Sequence, residues 1–130
     1  MQGERIAFVG RAIATRAPTL PQWHYEAPTP ERPAPWLPGD RFEMEAWVLP
    51  QPGLSPVRLA TNTDGLTRIH DPAVSRLDVV RKLLDPAAGA ELATCGYRLV
   101  LPLPVSGQWR IGLERDGIIQ WLMQLERAGQ

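Results

Sequence analysis

From position 41 onward, apolar and polar side chains alternate with a period of two. In RFEMEAWVL (41–49), Phe42, Met44, Ala46 and Val48 fall on one face and Glu43, Glu45 and Trp47 on the other, the pattern of a strand with one buried face. That places Trp47 on the polar face. PVRLATN (56–62), with Val57, Leu59 and Thr61 together, and LTRIHD (66–71) predict two further strands, joined through the turn signal Thr63-Asp64-Gly65. GYRLVLPLP (96–104) sets Tyr97, Leu99, Leu101 and Leu103 on one side, and QWRIGLE (108–114) does the same with Trp109, Ile111 and Leu113. Arg115-Asp116-Gly117-Ile118 is the strongest hairpin signal, and it feeds IIQWLMQL (118–125), apolar enough on both faces for a central strand or an interface. RIAFVGRAIAT (5–15) supplies the first strand.

Two segments depart from that period. In DPAVSRLDVVRKLLDP (71–86), Val74, Leu77, Arg81 and Leu84 recur at helical spacing, Asp71 before Pro72 offers an N-cap, and Ser75 with Asp78 offers a capping box. One short helix is predicted there. The stretch 17–40 holds seven of the fourteen prolines; proline fixes φ and removes a ladder donor, so this stretch reads as an irregular, extended arm. Its Trp23, Tyr25 and Trp36 are expected to pack it over a sheet face. About seven short strands and one helix predict an all-β antiparallel sandwich, one domain spanning 1–130.

Composition narrows the function classes. Fourteen basic and fourteen acidic side chains cancel to zero formal charge, which removes the field on which non-specific nucleic-acid binding relies. Thirteen of the fourteen basic residues are Arg, a skew that a GC-rich coding genome produces without any guanidinium chemistry. The apolar stretch Ile6 to Val9 is cut short by Gly10 and Arg11, too brief for a signal peptide or a membrane span, so a cytoplasmic location is expected. The lone Cys95 has no internal disulfide partner and fits a reducing compartment.

Catalytic templates find no match. There is no GxSxG elbow, phosphate-cradling GxxxxGK, GxGxxG, HExxH or CxxC, and two histidines, His24 and His70, are too few for a histidine-rich metal site. Glu43, Glu45, Asp64, Asp71 and Asp78 are ordinary surface acids, Asp64 and Asp71 already having turn and cap duties. A non-enzymatic protein without cofactor or metal is expected.

One constellation stands out, Arg76-Leu77-Asp78-Val79 followed by Cys95-Gly96-Tyr97-Arg98-Leu99. With Ala46-Trp47-Val48-Leu49, Pro56-Val57-Arg58-Leu59 and Asp64-Gly65, it resembles the immunoglobulin-like accessory domain of bacterial glycosyltransferases and methyltransferases of cell-surface polysaccharide synthesis. The resemblance covers 42–113 and departs at Leu77, where the family has proline, at Cys95, where it often has serine, and over the arm before Asp40. It implies an immunoglobulin-like sandwich that docks a protein partner or positions a linked catalytic domain. Apart from the family, Asp78 is expected to cap the amides of Val80 and Arg81, with Arg76 reaching its carboxylate and Gly96 permitting a bend. Arg76, Asp78 and Trp47 are candidate contacts. A carbohydrate-binding module is a rival expectation, with Trp23, Tyr25 and Trp36 stacking on an oligosaccharide beside Glu26 or Arg32. Another is an assembly subunit, a homodimer paired through an edge strand or the last strand.

Overall fold

The computed structural model describes residues 4–13 and 19–128. The expected run of the first strand through Ala14 and Thr15, the start of the arm at Ala17 and Pro18, and the last two residues lie outside these. The strands are β1 (Arg5–Ile6), β2 (Phe8–Ala12), β3 (Trp23–Ala27), β4 (Ala34–Pro35), β5 (Arg41–Val48), β6 (Arg58–Thr63), β7 (Leu66–His70), β8 (Val74–Ser75), β9 (Thr94–Pro102), β10 (Gln108–Arg115) and β11 (Ile118–Arg127), with one helix, α1 (Leu77–Leu83). They form a four-stranded sheet, β3-β5-β9-β8, a five-stranded sheet, β2-β11-β10-β6-β7, and the small pair β1-β4, antiparallel throughout. With β2 set aside, these are the A-B-E-D and G-F-C-C′ orders of an immunoglobulin-like sandwich.

The hairpin signals correspond to real turns. Asp64 and Gly65 have φ of 52° and 83°, and Asp116 and Gly117 have 53° and 84°, the paired positive φ that a two-residue type I′ turn requires and that Asp-Gly tolerates best. The turns set the β6–β7 and β10–β11 registers, and the long-range pairing of β6 with β10 brings Leu59, Thr61 and Thr63 opposite Leu113, Ile111 and Trp109. All six are buried. They face Phe42, Met44, Ala46, Val48, Tyr97 and Leu101 of the other sheet in one core, where complete burial of a Phe42-sized side chain stabilises by about 1.5–3 kcal/mol. Trp109 sits at its centre, with ring centroids of Phe42, Phe8 and Tyr25 at 5.5, 5.6 and 5.8 Å. The Tyr97 hydroxyl accepts the Leu59 amide across the two sheets at 3.3 Å. Burial pushes that phenol up to about 12.

Three expectations are corrected. The arm is not irregular throughout: Trp23–Ala27 is an edge strand on β5, and Ala34–Pro35 pairs with β1. An edge strand needs ladder donors on one side only, so prolines at 21 and 28 can bracket it, and they hide the alternation of Trp23 and Tyr25 with His24 and Glu26. The helix begins at Leu77, well after Asp71 and Pro72, because β8 pairs with β9 and claims Val74 and Ser75. Its buried residues are accordingly Val79 and Val80, and Ser75 makes no capping box. Trp47 does lie on the outer face, yet it is only 8% exposed, in a second cluster with Leu49, Val79, Val80, Ala88 and Cys95. The helix covers it, which strand periodicity alone does not anticipate. The last strand is interior, between β2 and β10. Among the described residues no helix is long and apolar enough to cross a membrane.

Candidate functional site

The outer face of the four-stranded sheet is divided. One part is closed by α1 over Trp47; the other is an open groove of about 280 Å³ whose lining includes Glu26, Arg32, Glu45, Arg76, Gly96 and Arg98. Strand alternation puts Glu43 and Glu45 of β5 and Gly96 and Arg98 of β9 on this face, and the register places Glu45 opposite Arg98 and Trp47 opposite Gly96.

Arg76 organises the groove. It is the last residue before α1, and its carbonyl accepts the amides of Val79 and Val80 at 3.1 and 3.2 Å. Its guanidinium donates from Nε and Nη2 to the two oxygens of Asp78 at 3.2 Å each, and from Nη1 to Glu26 of β3. This fork holds the helix start against the edge strand. The Arg76 and Glu26 side chains are 23% and 15% exposed and Asp78 is 70% exposed, so the Glu26 contact is the partly desolvated half of the cluster. Hydrogen bonds to Glu26 and then to Asp78 raise the Arg76 pKa above its ordinary value, and the bond to Arg76 holds the Asp78 carboxyl below its own. Asp78 therefore serves Arg76 rather than the amides of Val80 and Arg81. Gly96 makes room for this: a Cβ there would stand 2.7 Å from Arg76 Cγ and 3.0 Å from both Val74 Cβ and the Val74 carbonyl oxygen. The arginine stem crosses β9 where a side chain would be.

Around the rim, Arg32 lies 3.6 Å from Glu45 and Arg98 lies 3.9 Å from Glu43. These pairs are solvent-exposed, each worth roughly 0–1 kcal/mol, and are free to exchange partners. The groove thus presents paired charges of both signs along its rim, a lining suited to polar recognition. Among the described residues no group of three or more His, Cys, Asp or Glu could hold a metal ion.

No protein-family model, no curated protein and no solved structure matches this chain.

Of the six residues singled out from the sequence, Arg76 and Asp78 meet in this groove, and Trp47 lies beside it under the helix. The other three do not form a stacking platform. Tyr25 is 6% exposed, its hydroxyl donating to the Pro28 carbonyl at 2.5 Å, and Trp23 packs against the main core. Trp36 is half-buried, donates from Nε1 to Asp40 at 3.0 Å, and has the Arg127 guanidinium 4.9 Å from its ring centroid. The prolines direct these rings inward as struts of the sandwich. Glu26 and Arg32 belong to the groove, where they pair with Arg76 and Glu45. Arg98 carried no separate signal, because its role follows from the β5–β9 register. Cys95 is 3% exposed and burial pushes its thiol upward, which keeps it protonated and unreactive. Asp71 turns from the helix to Arg58, 3.3 Å away.

Proposed function

We propose that the chain is a non-catalytic accessory domain that docks a protein partner, or positions a linked catalytic domain, through the charged groove around Arg76, and that it serves bacterial cell-envelope glycan synthesis. The observation that carries this reading is that Arg76, Asp78 and Gly96, three of the residues in the sequence resemblance, interlock, with Arg76 and Gly96 lining an open groove and Asp78 held to Arg76 at its edge. Its rim alternates in sign, with Arg32 and Arg98 against Glu45 and Glu43. Exposed pairs of this kind exchange partners at little cost and set orientation and specificity more than raw affinity. The Arg76–Glu26 pair keeps the floor rigid beneath them.

The test is site-specific photo-crosslinking. A photoreactive residue at Arg98, in the chain expressed in a bacterium that makes surface polysaccharide, is expected to give a covalent adduct with a glycosyltransferase or methyltransferase polypeptide identified by mass spectrometry. Charge reversal at Arg32 should reduce its yield several-fold. An adduct of equal yield from the distant position Leu66, or adducts only with unrelated proteins, would overturn the proposal.

A further inference from the structure

The outer face of the five-stranded sheet is organised differently. Register gives three rows across its middle, with Val9, Glu126 and Gln108 forming a further row beyond the Arg11 side. The first is Arg11, Gln124, Arg110, Asn62 and Thr67; the second is Trp121, Gly112, Ala60 and Ile69; the third is Ile119, Glu114 and Arg58, extended by Asp71. Side-chain contacts confirm that these point outward. Arg110 donates to Gln124 at 3.1 Å and Asn62 to Thr67 at 2.9 Å, and a Cβ on Gly112 would stand 2.9 Å from Trp121 Cε3 and 3.1 Å from Ile119 Cγ2. The Trp121 ring thus leans over Gly112 toward Ala60, itself fully buried. Trp121 and Ile119 remain half-buried, and Ile69 is 36% exposed. Among the described residues no helix covers this row: α1 packs on the other sheet.

We infer that this face binds a second copy of the chain, as an isologous dimer whose two-fold axis runs along the Trp121–Ile69 row. The charges select both the occupant and the axis. The first row carries Arg11 and Arg110, with Glu126 bridged to Arg11 at 3.5 Å, so two positive charges and one negative leave it positive. In the third row Arg58 stands between Glu114 at 3.0 Å and Asp71 at 3.3 Å, so one positive and two negative charges leave it negative. A two-fold along the middle row sets the apolar row on itself and the positive row of each copy over the negative row of the other. A two-fold along the strands sets arginine over arginine, which is repulsive. The area suffices. Five strands of 5 to 10 residues at about 4.8 Å spacing and ~3.4 Å per residue give a flat face of roughly 550 Å², which side-chain relief brings toward the ~800 Å² that each partner contributes to a stable interface. In this arrangement Trp121 meets its own copy, an aromatic anchor at the centre of the contact.

Sedimentation velocity of the full chain across a range of concentrations tests this. The wild type is expected to reach twice the monomer mass. Arg110→Glu is expected to weaken association at least tenfold at low salt, with a smaller effect at high salt, and Trp121→Ser to give monomer. Val100→Ser, on the other sheet's outer face, should associate like wild type. Wild-type protein that stays monomeric at several hundred micromolar overturns the inference, as does an Arg110→Glu variant that dimerises unchanged. Arg110 is exposed, so its variant decides the matter even if Trp121→Ser fails to fold.

Discussion

Two tryptophans stand on the outside of this sandwich, one on each sheet, and each lies opposite a glycine on the neighbouring strand. Trp47 faces Gly96 and Trp121 faces Gly112. The same local device is closed in two ways. At Trp47 the chain supplies its own cover, with Val79 and Val80 of α1 packed on the ring and Arg76 lying across Gly96. At Trp121 the ring itself fills the glycine space, and only Ile69, at the far end of the row, stays exposed. An outward aromatic is thus no sign of a ligand platform; what matters is whether the chain returns over it.

Substitutions at these four positions should separate the two closures. Trp47→Ala removes a buried ring from between sheet and helix and is expected to cost about 3–5 kcal/mol in denaturant unfolding. Trp121→Ala, at protein concentrations too low for association, should cost less, about 1–2 kcal/mol, because its ring is only partly buried. Equal losses would mean that the two faces are not closed differently. The glycines should follow the reverse order. At Gly112 a Cβ meets the Gln120 carbonyl oxygen, a backbone atom, at 2.6 Å, whereas at Gly96 the nearest atom is the side-chain Cγ of Arg76 at 2.7 Å and the nearest backbone atom, the Val74 carbonyl oxygen, stands at 3.0 Å. Gly112→Ala is accordingly expected to cost about 3 kcal/mol and Gly96→Ala about 2, the latter with a displaced Arg76. A smaller loss at Gly112 than at Gly96 would contradict this ordering.

Arg76→Met sharpens the comparison on the groove side. It leaves Glu26 partly buried without its cation, and a loss of roughly 2 kcal/mol is expected. The double change Arg76→Met with Glu26→Gln should recover much of it. Recovery of nothing would show that the arginine stem over Gly96, rather than the ion pair, does the stabilising.

The smallest effect is the pH response of the five-stranded sheet. Burial, and secondly the Arg68 charge, lower the pKa of His70, which lies on Thr61 at 2.8 Å. Its folded value is below its unfolded value of about 6.5, so its contribution is fully present above that pH and is lost as pH falls through the folded value. The Gly117 amide and then Arg58 hold Glu114 below the ordinary carboxylate range, so a second loss begins only below about pH 4.3. His70→Gln should flatten the first step in urea midpoints and leave the second. A first step that persists in His70→Gln would assign it elsewhere.

These contrasts also mark what the chain makes legible. The sandwich is readable because its signals are local: Phe42 to Val48 alternate, and Asp-Gly pairs set both hairpins, whereas the pairings of β5 with β9 and of β6 with β10 are long-range. The groove was readable only in part. Arg76 and Asp78 are two residues apart, but Glu26 is 50 residues from Arg76 and sits in a strand masked by prolines. The start of α1 was misplaced because β8 takes Val74 and Ser75 for the sheet, a tertiary demand that outweighs helical spacing and a good Asp-Pro start. Trp47 was assigned to the correct face, but its cover comes from a helix some 30 residues later. Long-range closure is what periodicity leaves out.

The most direct test of the two closures is hydroxyl-radical footprinting of Trp47 and Trp121, read by mass spectrometry over a concentration series. The expected result is a Trp47 protected at every concentration and a Trp121 oxidised readily in dilute protein and progressively protected as concentration rises. Oxidation of Trp47 at the rate of Trp121, or a Trp121 rate that ignores concentration, would contradict the account.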